Sequence, residues 1–184
     1  ICGWARAIQP MFHVNAWGLP YSCALVGAKM VFPGPHLDGK SLHEQFEREE
    51  VTMSAGVPTV WLGLLNYMRE QKARFTTLKT VVIGGSACPP AMLRTFQDDY
   101  GVQVLHAWGM TEMSPLGSSG AFKARHLKLS KEERTAWQFK QGRAMYGVDL
   151  RIVDENGAEL PWDGKAFGDL QVRGPWGIDR KSVV

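Results

Sequence analysis

Short β-branched runs, broken by glycine or proline, alternate along much of this chain with longer stretches whose apolar residues return at helical spacing. Residues 29–32, 52–55, 80–83 and 103–106 have the length and composition of buried strands. Between them, residues 59–70 bring Val60, Leu64, Tyr67 and Met68 onto one helical face, and residues 41–50 predict a second helix. Pro89 or Pro90 opens a third that reaches Tyr100, because proline is tolerated in a first helical turn. Strands alternating with helices predict a mainly parallel sheet covered by helices.

After Gly142 the pattern changes. Residues 149–153 alternate, Asp154-Glu155-Asn156-Gly157 signals a tight turn, and residues 168–173 alternate again, which predicts a small antiparallel β subdomain at the C-terminal end. The fold class is therefore α/β. Residues 1–120 form the α/β part, residues 121–141 a charged connection that is either an exposed helix or a mobile link, and residues 142–184 a truncated β-rich subdomain.

Bulk properties narrow the function classes. With 184 residues, 45% hydrophobic and 21% charged, the chain has enough apolar mass for a single packed core. The net charge of +3 is scattered and mixed with Glu132 and Glu133, so no basic stripe marks a nucleic-acid partner. Cys2, Cys23 and Cys88 are odd in number and far apart, which points to reduced thiols in a cytoplasmic compartment rather than to a disulfide frame or a metal set. No apolar stretch approaches the ~20 residues of a transmembrane segment. Ile1 stands where an initiator Met is expected, and the chain reads as soluble and cut from something longer.

Candidate chemistry lies where strands run into glycine-rich turns, because open α/β sheets bind ligands at the carboxyl ends of their strands. The first such turn is Gly84-Gly85-Ser86-Ala87, where missing side chains let a ligand lie on bare backbone and Ser86 can donate a hydrogen bond. The second is Trp108-Gly109-Met110-Thr111-Glu112. Trp108 offers a flat face to a base, Thr111 a hydroxyl to a phosphate, and Glu112 a hard oxygen to Mg²⁺.

These two turns carry a resemblance. Gly84 to Pro89 (Gly-Gly-Ser-Ala-Cys-Pro) and His106 to Gly117 (His-Ala-Trp-Gly-Met-Thr-Glu-Met-Ser-Pro-Leu-Gly) resemble two core motifs of the AMP-forming adenylating enzymes, the superfamily of acyl-CoA synthetases, luciferases and peptide-synthetase adenylation domains. Three further segments are similar to elements of its medium- and long-chain fatty-acyl branch. Pro10-Met11-Phe12-His13-Val14-Asn15-Ala16-Trp17-Gly18 resembles the aromatic motif, Gly56-Val57-Pro58-Thr59-Val60-Trp61 the element beneath the acyl tunnel, and Gly168 to Pro175 the strand and turn before the ribose-binding segment.

The resemblance implies roles. Gly84, Gly85 and Ser86 would border adenine and the acyl carboxylate, with Ala107, Trp108, Gly109 and Met110 completing the nucleotide wall and Trp108 stacked on the base. Thr111 would touch the α-phosphate and Glu112 would hold Mg²⁺, making these two the catalytic pair. His13 and Trp17, four apart and on one face if helical, together with Val57 and Trp61, would meet the acyl substrate. The implied reaction joins a fatty acid or similarly apolar carboxylic acid to CoA at the expense of ATP, through acyl-AMP, in an enzyme that can form a homodimer. The family's phosphate loop, ribose-binding Asp and adenylating Lys have no counterpart, since neither Asp179 nor Lys165 fits those motifs. The isolated chain is therefore expected to be feebly active, and a catalytically inactive nucleotide- or acyl-binding module and a nonfunctional truncated product stay open beside the ligase reading.

Overall fold

The computed structural model describes residues 4–7 and 11–177; Cys2, Gly3, Pro10 at the head of the aromatic motif, and residues 178–184 with Asp179 among them lie outside these. Seven strands form one sheet in the order β2-β1-β3-β4-β5-β6-β7, where β1 is Trp4–Ala7, β2 Lys29–Val31, β3 Met53–Gly56, β4 Thr80–Ile83, β5 Gln103–Gly109, β6 Leu116–Ser119 and β7 Arg143–Ala144. From β2 to β5 the pairing is parallel, and β6 and β7 add antiparallel. β8 (Asp149–Val153) and β9 (Asp169–Arg173) form a separate antiparallel pair. The mainly parallel α/β sheet and the small antiparallel pair are as the patterning predicts. β1 and β6 carry no strong periodicity of their own, and β7 belongs to the large sheet rather than to the C-terminal pair.

Several helices pack on one face of the sheet, and the helix Leu19–Val26 reaches the other. The helix Gly39–Arg48 starts at Asp38, whose carboxylate accepts the Ser41 amide N–H and so satisfies one orphan donor of the first turn. It buries Leu42 and Phe46, one turn apart, and crosses the helix Pro58–Glu70 at two glycines: a Cβ on Gly39 would lie 2.7 Å from the Gly63 carbonyl oxygen. A third helix, Pro90–Arg94, passes into a π-helical turn over Thr95–Asp99. These elements and the strand residues Val81, Ile83 and Val104 enclose one apolar core around Trp61, whose ring meets Phe96 edge-on at 5.6 Å.

Residues 121–141 are an ordered brace. The helix Lys131–Gln138 opens on a reciprocal cap between Ser130 and Glu133. At its other end Gln138 is buried and donates to the Val104 carbonyl at 3.0 Å and to Gln97 Oε1 at 2.7 Å. Among the described residues no helix is long and apolar enough to cross a membrane.

Candidate functional site

The parallel register builds the floor of a cleft. Ala55 of β3 pairs with Val82 of β4, which pairs with Leu105 of β5. Because side chains alternate across a strand, this row faces away from the core occupied by Val81 and Val104 and lines a cavity of about 510 Å³.

At the end of β4 the glycine turn closes over β5. A Cβ at Gly84 would stand 3.0 Å from the Ala107 carbonyl oxygen and 3.2 Å from Trp17 Cη2, and Gly85 has φ +78°, so both positions require glycine for different reasons. Trp17 thus lies against the bare backbone of the turn. It is held there by a left-handed stretch in which Val14, Asn15, Ala16 and Trp17 have φ from 47° to 58°, closed by Gly18. Such backbone costs roughly 1–2 kcal/mol for each L-residue, and strain of this kind gathers at binding sites. The expected pairing of His13 and Trp17 on a right-handed helical face is therefore corrected: both reach the cleft, from opposite ends of a left-handed turn.

At the end of β5 a bulge between Trp108 and Gly109 breaks the register with β6. The loop is closed by the Met110 N–H donating to the Pro115 carbonyl at 2.8 Å, with a 3₁₀ turn over Thr111–Met113. Trp108 packs against Gly117, where an added Cβ would come within 2.3 Å of its ring. Gly84, Gly85, Ala107, Trp108, Gly109, Met110, Thr111 and Glu112 share this cleft with His13 and Trp17. No ion pair engages the Glu112 carboxylate among the described residues. At the end of the glycine turn, burial pushes the Cys88 thiol up to about 11, which keeps it protonated and inert.

Three expected positions fall elsewhere. Ser86 is exposed at the tip of the turn, off the cavity wall. Val57 packs behind the turn, with Cγ1 3.0 Å from where a Gly85 Cβ would be. Trp61 is fully buried, off the cavity wall, and donates its indole N–H to the Gly56 carbonyl at 3.0 Å, so it props the strand. Conversely, Ala55, Val82, Leu105, Leu19, Leu116 and Ser119 line the cleft without having been singled out. The first three become visible once the parallel register is known, because they occupy one cross-strand row. A second hollow of about 380 Å³ between Arg94, Asp98 and Lys131 lies away from the strand ends, with Lys131 paired to Asp98 at 2.6 Å.

An apolar trough that ends in a glycine turn, an indole, a hydroxyl and a carboxylate lies at the carboxyl ends of parallel strands, the place where open α/β sheets bind ligands. The AMP-binding enzyme family matches residues 6–179, and the chain belongs to that family. A medium-chain-fatty-acid–CoA ligase of Ectopseudomonas oleovorans is 52% identical over 171 residues, covering 93% of this chain and 31% of the relative. A 3-methylmercaptopropionyl-CoA ligase of Ruegeria lacuscaerulensis is 51% identical over 172 residues, covering 94% and 32%. The crystal structure of a long-chain-fatty-acid-CoA ligase from Archaeoglobus fulgidus shares the fold with a TM-score of 0.77 at 23% identity, over 95% of this chain and 35% of that one. The chain thus spans about a third of the length of the curated relatives it matches.

Proposed function

We propose that the chain forms the acyl and adenine pocket of an AMP-forming acyl-CoA ligase acting on an apolar carboxylic acid. The observation that carries this reading is the continuity of one cleft, from the apolar row Ala55, Val82 and Leu105 to the polar pair Thr111 and Glu112. A fatty acyl chain fits the row, its carboxylate lies toward Gly84 and Gly85, and a purine stacks on Trp108.

In the reaction so framed, a carboxylate oxygen attacks the α-phosphorus of ATP, the bond to the bridging oxygen breaks, and pyrophosphate leaves with its electron pair. The thiol sulfur of CoA then attacks the acyl carbon of the mixed anhydride and AMP departs. Neither step asks for a protein nucleophile. Backbone amides of the glycine turn and the Thr111 hydroxyl orient the phosphate, and that positioning is where such a site acts.

Glu112 fits a magnesium role as one protein ligand, since Mg²⁺ uses one or two carboxylates and completes its shell with phosphates and water. Among the described residues no cluster of three His, Cys, Asp or Glu offers an all-protein cage. When bound, the ion neutralises phosphate charge.

Titration calorimetry of the chain with a fatty acyl-sulfamoyl-adenosine, a stable mimic of acyl-AMP, tests the reading. Saturable binding that is lost in Trp108→Ala supports it. A cooperatively folded chain that binds neither this mimic nor Mg-ATP refutes it.

A further inference from the structure

His106 is 3% exposed, on β5 between the cleft residues Leu105 and Ala107, and it faces the helix-covered side of the sheet. Its Nε2 lies 3.3 Å from the backbone nitrogen of Cys88, where the glycine turn descends toward the helix Pro90–Arg94, and 3.4 Å from the Gln141 side-chain amide. An amide N–H can only donate, so Nε2 must be the bare, accepting nitrogen, and the ring proton sits on Nδ1. Nδ1 finds no partner in hydrogen-bond geometry among the described residues, although the Gln138 and Ser86 carbonyls are close enough to offset part of the effect of burial. The ring therefore leaves one of its own polar groups unsatisfied while satisfying the amide of Cys88.

Among the described residues, the attachments of the Gly84–Cys88 loop to β5 gather at Ala107 and at His106, whose ring the Ser86 carbonyl also approaches. At its start Gly84 abuts the Ala107 carbonyl, and at its end Cys88 rests on His106. Between these points Gly85, Ser86 and Ala87 are exposed.

We propose that His106 is a positioning residue: its neutral Nε2 pins the Cys88 amide and thereby fixes the Gly84–Cys88 turn at the height at which its backbone meets a ligand in the cleft. A His⁺ ring would oppose donor to donor at the Cys88 amide, so the pin holds only in the neutral Nδ1–H form. Burial, which pushes the pKa of this imidazole below its ordinary value, favours that form near neutral pH. The ligand part of this inference rests on the pocket reading above; the pin itself does not.

The test is therefore split. Two-dimensional ¹⁵N spectra of the wild-type imidazoles are expected to show His106 as the Nδ1–H tautomer. In His106→Leu, which keeps apolar volume and removes the acceptor, exchange of the Cys88 amide is expected to rise about tenfold, with Mg-ATP affinity falling by a similar factor. His106→Gln restores an acceptor and should recover most of both. An Nε2–H tautomer in the wild type, or Leu and Gln variants with equal Cys88 exchange, overturns the pin. If the Leu variant does not fold, the wild-type tautomer and the Gln variant decide it. A protected Cys88 amide in a wild type that binds no nucleotide upholds the pin and refutes the pocket reading alone.

Discussion

Adding one methyl group at Gly117 should cost this chain more ligand affinity than stability. The new Cβ would stand 2.3 Å from Trp108 Cζ3 and 2.6 Å from Cε3, whereas carbon atoms in contact prefer about 3.5–4.0 Å. The indole must therefore retreat by about 1.2 Å or swing away. Overpacking of this kind costs about 1–3 kcal/mol, and the lower end applies because Trp108 is half-buried with room to move into the cleft it lines. A loss of about 1 kcal/mol lowers Tm by only about 2–4 °C in a chain of this size. A base stacked on an aromatic ring is worth about 1–3 kcal/mol, so displacement of the indole should weaken adenylate binding roughly 5- to 150-fold. Calorimetry with the acyl-adenylate mimic on the wild type, Gly117→Ala, Trp108→Ala and the double variant measures this directly. Because both changes remove the same stack, the double variant should bind no worse than Trp108→Ala alone. Gly117→Ala binding within twofold of wild type would refute the assigned place of the base.

Other expectations follow from single contacts. Glu112→Gln should leave Tm unchanged and abolish the part of ATP affinity that depends on added Mg²⁺, as read by titrations with and without chelator. Trp61→Phe removes one of two donors to the buried Gly56 carbonyl, leaving the Gly84 N–H, and shrinks a fully buried side chain; it should cost about 1–3 kcal/mol in denaturant unfolding, with acyl-adenylate affinity unaltered, whereas a selective loss of affinity would restore Trp61 to the acyl site. Burial holds His106 and His126 below the ordinary histidine pKa of 6.5. The unfolded chain therefore binds protons that the folded chain refuses, so stability is complete above pH 6.5 and declines as pH falls through that value toward the lower folded pKa values. Denaturant midpoints at pH 7.5 and 5.5 should show the decline, and His106→Gln should make it shallower.

Much of this was legible from periodicity. Residues 80–83 and 149–153 form strands at those very positions, and the helical face of Val60, Leu64 and Met68 points into the core. β-branched runs and the 3.6-residue repeat report local burial, which is what decides those elements. Trp4–Ala7 and Leu116–Ser119 were illegible because their strand character comes from neighbours in the sheet rather than from their own residues. The left-handed turn at Val14 runs against backbone preference, so no propensity argument reaches it. Residues 121–141 looked exposed by charge, yet one buried amide, Gln138, fastens them to Val104. The glycine turns and Trp108 to Glu112 were visible as site residues because their chemistry is carried in contiguous sequence. The apolar floor was not, since Ala55, Val82 and Leu105 meet only through strand register.

The central claim is that nucleotide and acyl group share one cleft at the ends of β4 and β5. Amide chemical-shift mapping of the chain titrated with a fatty acyl-sulfamoyl-adenosine tests it most directly. Saturable shifts are expected at Gly84, Gly85 and Ala107 to Glu112, together with Val82 and Leu105 when the acyl chain is present, and only at the first group with adenosine monophosphate. Shifts confined to the hollow between Arg94 and Lys131, or none from a folded chain at millimolar ligand, would contradict it.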